Sequence, residues 1–174
     1  EMFEKVILSS PMIRPLTGGV PWHVAKAIAK TSCKVGRNKK YVVGQKPYKE
    51  PGKFEESCSL SRPRFEYYEE KRTKEAHYHL NAPSYGWLGN AMRLNRYLEK
   101  TGWKKIKAPV MLFSAGKDNL VSNAAQERFV RKLNKNRPGS AELVKFPESK
   151  HEIFNAENTI AEKYWKKVFV FFES

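Results

Sequence analysis

Two short apolar runs flank a helix-like stretch near the carboxyl end of this 174-residue chain, and a reactive polar side chain follows each run. The first unit is Pro109-Val110-Met111-Leu112-Phe113-Ser114-Ala115-Gly116-Lys117-Asp118, which ends on the only aspartate in the sequence. The second is Ala141-Glu142-Leu143-Val144-Lys145-Phe146, followed by Pro147-Glu148-Ser149-Lys150-His151. Between them, Asn123-x-x-Gln126 reads as a capping box, and Ala125, Phe129 and Leu133 recur at four-residue intervals. Pro138-Gly139 then turns the chain into the second run. Strands separated by a whole helix cannot pair as a hairpin, so the order strand, helix, strand predicts a parallel crossover. Open α/β sheets build their sites beyond the carboxyl ends of such strands. Asp118 and His151 are therefore expected within or near hydrogen-bonding reach of one another.

The amino-terminal segment predicts a third strand. Val6-Ile7-Leu8 is an unbroken apolar run, the pattern of a strand covered on both faces. Native edge strands usually carry charge or proline, so the reading expects a neighbour for this strand, from an upstream segment or from a second copy. Residues 13–100 differ in character. A short helix is predicted over 20–30, with Pro21 in its first turn and Val24, Ala25, Ile28 and Ala29 on one face. The stretch 34–53 is loop-like and holds seven basic residues against one acid, Glu50. Further helices are expected from about Ser61 and over 83–100, where Leu88, Ala91, Met92, Asn95 and Leu98 keep helical spacing and Gly102 is placed as a stop. The final helix carries Ala161, Tyr164, Trp165, Val168, Phe169 and Phe172, a stripe expected to pack on the sheet. The organisation that follows is a core strand in 1–12, a mostly helical cap over 13–100, and an α/β unit over 101–174.

An acid and a histidine at neighbouring strand ends are two members of a nucleophile–histidine–acid triad. A serine hydroxyl becomes a useful nucleophile only when a base takes its proton, and imidazole titrates in the right range. A buried carboxylate fixes the imidazole tautomer and stabilises the imidazolium that forms. Asp118 also suits a plain turn, because Gly-Lys-Asp-Asn is good turn chemistry. The third member is not encoded, since no G-x-S-x-G occurs in the sequence. Ser84-Tyr85-Gly86 resembles half an elbow but follows a polar loop, whereas an elbow needs a strained strand-to-helix turn. Ser114 falls inside a strand and reads as a buried hydroxyl. His77 and His79 with Cys33 and Cys58 match no zinc-ligand spacing, so no metal is expected.

Four segments together resemble one family. They are Val6-Ile7-Leu8-Ser9-Ser10-Pro11-Met12, Ala82-Pro83-Ser84-Tyr85-Gly86-Trp87, Gly116-Lys117-Asp118-Asn119-Leu120-Val121 and Lys150-His151-Glu152-Ile153-Phe154-Asn155. In this order they are similar to the C-terminal portion of an α/β-hydrolase of the lysophospholipase and monoacylglycerol-lipase-like branch, the serine aminopeptidase-like hydrolases. The resemblance implies an α/β fold with parallel strands, crossover helices and a helical cap. It implies a serine hydrolase acting on lysophospholipid or monoacylglycerol-type esters without a cofactor. Asp118 would be the acid, His151 the base, and the nucleophilic serine would lie upstream of this chain. Met12, Tyr85, Trp87 and Met92 would line an acyl or leaving-group pocket, with ordinary core packing as the competing reading. The Val6–Leu8 strand would sit beside the nucleophile strand, with the strands at Val110 and Leu143 on its other side.

A net charge of +15 raises a different class of function, a nucleic-acid- or anionic-membrane-binding module without catalysis. The basic residues are spread along the chain, alternate with glutamates in the helices and accompany no reading motif, so no nucleic-acid partner is expected. A basic cap drawn to anionic headgroups or phospholipid-like substrates fits the charge better. With 40% hydrophobic residues the chain can build a core, and its two cysteines suit a reducing compartment. The expected location is cytoplasmic, with a peripheral place at the membrane open to it.

Overall fold

A computed structural model describes residues 3–174. Three parallel strands, β1 (Val6–Ser9), β2 (Val110–Ala115) and β3 (Ala141–Phe146), pair in the order β1-β2-β3. The register sets Val6 against Val110 and Val110 against Ala141. All six residues of the central strand are buried, which is why β2 reads as a continuous apolar run. Its alternate side chains serve two cores. Val110 and Leu112 face Ala125, Phe129, Val130 and Leu133 of α4 (Asn123–Asn136), while Met111, Phe113 and Ala115 face Tyr164 and Val168 of α5 (Asn158–Glu173). Helices on both faces of a parallel sheet make this an α/β architecture.

Between β1 and β2 run α1 (Trp22–Lys34), α2 (Arg62–Lys74) and α3 (Tyr85–Lys100). The helix expected over 20–30 starts two residues later and continues to Lys34, with Pro21 just outside it as the N-cap. Ala25 and Ala29 pack with Met92 of α3 as expected of that face, but Val24 and Ile28 are exposed. The two alanines let the helices approach closely, so little else on α1 needs cover. Helix α2 begins directly after Ser61, near where the sequence placed it. Its buried Glu69 accepts the Gly52 N–H at 2.7 Å and pairs with Arg72 at 3.2 Å. Arg72 donates in turn to the carbonyls of Tyr78 and Leu80 and to Asn81 Oδ1. Buried charge is tolerated here because every partner is supplied within one network.

Two local expectations are corrected. Helix α4 is capped by Ser122, whose hydroxyl accepts the Ala125 N–H at 3.3 Å, not by Asn123 with Gln126. Those two side chains tie other segments down, Asn123 Nδ2 to the Ala115 carbonyl at 2.7 Å and Gln126 Nε2 to the Pro11 carbonyl at 3.1 Å. On α5, Ala161, Tyr164 and Val168 are buried, but Trp165, Phe169 and Phe172 stand outside the core. Trp165 and Phe169 each lie about 100° round the helix from the buried residue before them, Tyr164 and Val168, and a three-strand sheet covers only one such face, whereas Phe172 falls in the last turn of the helix. Among the described residues no helix is long and apolar enough to cross a membrane.

Candidate active site

The site is built where two loops leave the carboxyl ends of β2 and β3. Gly116 N–H donates to the Phe146 carbonyl at 2.9 Å and Lys117 N–H to the Ser149 carbonyl at 2.9 Å, so the parallel pairing continues into the loops. A Cβ added at Gly116 would lie 2.2 Å from the Pro147 carbonyl oxygen. Only glycine permits that approach, and the requirement is one of space, because Gly116 is not among the residues with positive φ. The histidine loop is anchored from below by Ser149 and Ile153, both fully buried.

Within this frame His151 Nδ1 and Asp118 Oδ2 are 2.8 Å apart. The other carboxylate oxygen, Oδ1, accepts the N–H groups of Leu120 at 2.9 Å and Val121 at 3.1 Å. The two sequence readings of Asp118 therefore hold together. Its turn chemistry, an Asx-type turn on the following backbone, aims the second oxygen at the histidine. An ionised carboxylate only accepts, so in the neutral imidazole the proton sits on Nδ1 and Nε2 is left as an acceptor. Nε2 makes no hydrogen bond to any described residue. The Asp118 side chain has no solvent-accessible surface while the His151 side chain keeps 27%, so the acid is sealed and the base can be reached.

Burial pushes the Asp118 carboxyl up, but the hydrogen bonds from His151, Leu120 and Val121 and the imidazole charge outweigh it and hold it below its ordinary value. Its contribution to stability is therefore fully present above the unfolded-state value of about 3.9, and is lost as pH falls through the lower folded value. Asp118→Asn is expected to flatten that acid limb, as read from urea midpoints across a pH series. An acid limb identical to that of the wild type would contradict the assignment. Burial pushes the nearby Cys58 thiol up, the charges of Glu152 and Asp118 add to the shift, and Lys150 opposes it. Cys58 thus stays a neutral thiol, poorly suited to attack.

Of the pocket candidates, Tyr85, Trp87 and Met92 lie on α3 and Met12 is hydrogen-bonded to it. Met12 is partly exposed, and its carbonyl accepts from Asn95 Nδ2 at 2.7 Å. Tyr85 is buried at the start of α3, Trp87 is half exposed, and Met92 lies in the contact between α1 and α3. Hydrogen bonds among the described residues link none of these four to Asp118 or His151. Ser84 is the N-cap of α3 and accepts the Trp87 N–H at 3.2 Å, with φ at −84°, so its backbone lacks the strain of an elbow. Ser114 is buried within β2. His79 stacks on Tyr48, and His77 lies 3.6 Å from Glu75. Among the described residues no group of three or more His, Cys, Asp or Glu is placed to hold a metal ion.

The family described as serine aminopeptidase, S33, a hydrolase family, matches residues 1–158, and the chain belongs to it. A monoglyceride lipase from Saccharomyces cerevisiae, solved as a soluble variant with a substrate analogue, superposes with a TM-score of 0.66 at 14% identity. The comparison covers 95% of this chain and 54% of the lipase. A monoacylglycerol lipase from Paleococcus ferrophilus gives a TM-score of 0.61 at 21% identity, covering 95% of this chain and 57% of that one. The chain thus has the α/β-hydrolase fold and spans little more than half the length of these relatives. No curated protein matches it.

Proposed function

We propose, from membership of the serine aminopeptidase, S33, family together with the geometry of Asp118 and His151, that this chain supplies the acid and base of a Ser-His-Asp triad acting on carboxylic esters. The substrates are monoacylglycerol- or lysophospholipid-type lipids, and the nucleophilic serine lies upstream. The observation that carries the reading is the 2.8 Å His151–Asp118 contact, with no described residue bonded to Nε2 and the His151 side chain partly exposed. Nε2 removes the serine proton as the hydroxyl oxygen attacks the ester carbonyl, and the imidazolium is stabilised by Asp118. That proton passes to the departing alcohol as the tetrahedral oxyanion collapses to an acyl-enzyme. Water then repeats the sequence and releases the fatty acid. The upstream segment brings the serine and the first oxyanion donors. Residues 1–12 and 101–174 form the hydrolase core and 13–100 the cap, whose basic loop over 34–53 favours anionic headgroups at a membrane surface.

The experiment is a comparison of the 174-residue chain with a protein extended upstream through the nucleophile. The chain alone is expected to show no turnover of monoacylglycerol or lysophospholipid micelles, and the extended protein is expected to release fatty acid. Ester hydrolysis by the isolated chain, or an extended protein that cleaves only aminoacyl amides, would overturn the reading.

The same reading bears on β1. Val6, Ile7 and Leu8 are each half-buried, and among the described residues β1 pairs with β2 alone, which leaves its other edge open. A bare apolar edge invites pairing. The isolated chain is therefore expected to self-associate through this edge in light scattering, and the extended protein to be monomeric. A monomeric isolated chain at high micromolar concentration would contradict this.

A further inference from the structure

The segment from Glu55 to Arg64, nearly a hundred residues upstream in sequence, grips the histidine loop on both sides of His151. Lys150 Nζ donates to the carbonyls of Ser57 at 2.9 Å and Glu55 at 3.4 Å. Glu152 N–H donates to the Cys58 carbonyl at 3.2 Å. Ser59 Oγ donates to the Asn155 carbonyl at 3.0 Å. Arg64, in the first turn of α2, donates to the Ala156 carbonyl and to Asn158 Oδ1, the latter at 2.8 Å. The residues immediately before and after the base are thus held from outside the sheet.

We infer that residues 55–64 are a brace that positions His151, with Arg64 of the brace and Lys150 of the histidine loop as the positioning residues. The inference rests on the reading of His151 as the base. Asp118 restrains only one ring nitrogen, through a single hydrogen bond, and a ring so held can still pivot about that contact. A catalytic base must be kept within about 0.5 Å of its working position by the groups around it. The brace supplies that restraint through the backbone flanking His151. It is itself fixed. Ser59 is buried, and its hydroxyl accepts the Ser61 N–H at 3.1 Å, while Phe54 packs on Phe65 and lies under the Arg62 guanidinium. The carbonyls of Ala156 and Asn155 meet charged or hydroxyl donors from the brace, so removing those donors loosens the loop without touching the imidazole. A displacement of α2 is then transmitted to the base, which makes the cap part of the catalytic scaffold.

The test follows the His151 Nδ1 proton by NMR in the 174-residue chain. In the wild type it should give a deshielded, slowly exchanging signal that Asp118→Asn removes. Arg64→Ala and Lys150→Met should each speed its exchange with water about tenfold or more, the factor equivalent to about 1.4 kcal/mol. Arg64→Lys, which keeps one donor, should fall between Arg64→Ala and the wild type. Lys74→Ala, which removes an exposed pair with Glu70 on the same helix, should leave exchange unchanged. Should Arg64→Ala not fold, Lys150→Met decides, because its released carbonyls can be taken up by water. Folded variants whose exchange equals that of the wild type would overturn the brace. An unaffected signal in Asp118→Asn would instead undo the acid–base pair, so the two failures are read separately.

Discussion

Replacing Asp118 by Asn in the nucleophile-bearing protein is expected to lower kcat about 10⁴-fold while leaving the fold in place. The amide is nearly isosteric, and its oxygen can still accept the N–H groups of Leu120 and Val121, which now bind Oδ1. What changes is the group facing the imidazole. If the amide NH2 faces His151, Nδ1 must become the acceptor and the proton moves to Nε2, the atom that has to take the serine proton. His151→Ala removes the base itself and should cost at least as much. The double variant should be no worse than His151→Ala, because residues acting as a unit are not additive. Steady-state ester hydrolysis under identical lipid presentation measures all three. A kcat within about tenfold of the wild type in Asp118→Asn would show that His151 takes its orientation from elsewhere.

The second large effect is expected at Gly116. An alanine methyl there would meet three main-chain atoms of Pro147, the oxygen at 2.2 Å, Cα at 2.6 Å and the carbonyl carbon at 2.7 Å. A flexible side chain could swing aside, but backbone held by β3 and by the Lys117–Ser149 hydrogen bond cannot do so locally. The two loops must separate, and overpacking of this kind costs about 1–3 kcal/mol. For a chain of this size each kcal/mol lowers Tm by about 2–4 °C. The same separation pulls Asp118 from His151, so Gly116→Ala should lose the hydrogen-bonded Nδ1 signal along with stability. Calorimetry and NMR on one sample test both. A stable variant with the imidazole proton intact would mean that the loops tolerate the methyl.

The contrast between Asp118 and Gly116 shows what the sequence made legible. Strand β2 is central and buried on both faces, so its apolar run is unbroken and the aspartate after it stands out. The parallel pairing with β3 follows from the intervening helix, and His151 falls at the matching end. Gly116 carries no such mark, because Gly-Lys-Asp-Asn already satisfies the rules for a turn, and the crowding comes from Pro147 in the loop after another strand. Asn123 and Gln126 have the spacing of a capping box, yet Asn123 bonds the Ala115 carbonyl eight residues back and Gln126 the Pro11 carbonyl 115 residues back, neither of which a capping pattern discloses. The α5 stripe shows the same limit, since helical periodicity reveals which residues share a face but not how wide a sheet will cover it. Nothing in Ser59 or Arg64 marks them as partners of the histidine loop, because those hydrogen bonds join residues more than ninety positions apart.

Active-site labelling tests the central claim most directly. The protein extended upstream is treated with a fluorophosphonate, the adduct is mapped by peptide mass spectrometry, and the labelling rate is compared with that of His151→Ala. The expected adduct lies on one serine outside these 174 residues, and the rate falls at least about 10³-fold in the variant, as loss of a general base requires. An adduct on Ser84, Ser114 or another serine of this chain, or a labelling rate unchanged by His151→Ala, would contradict it.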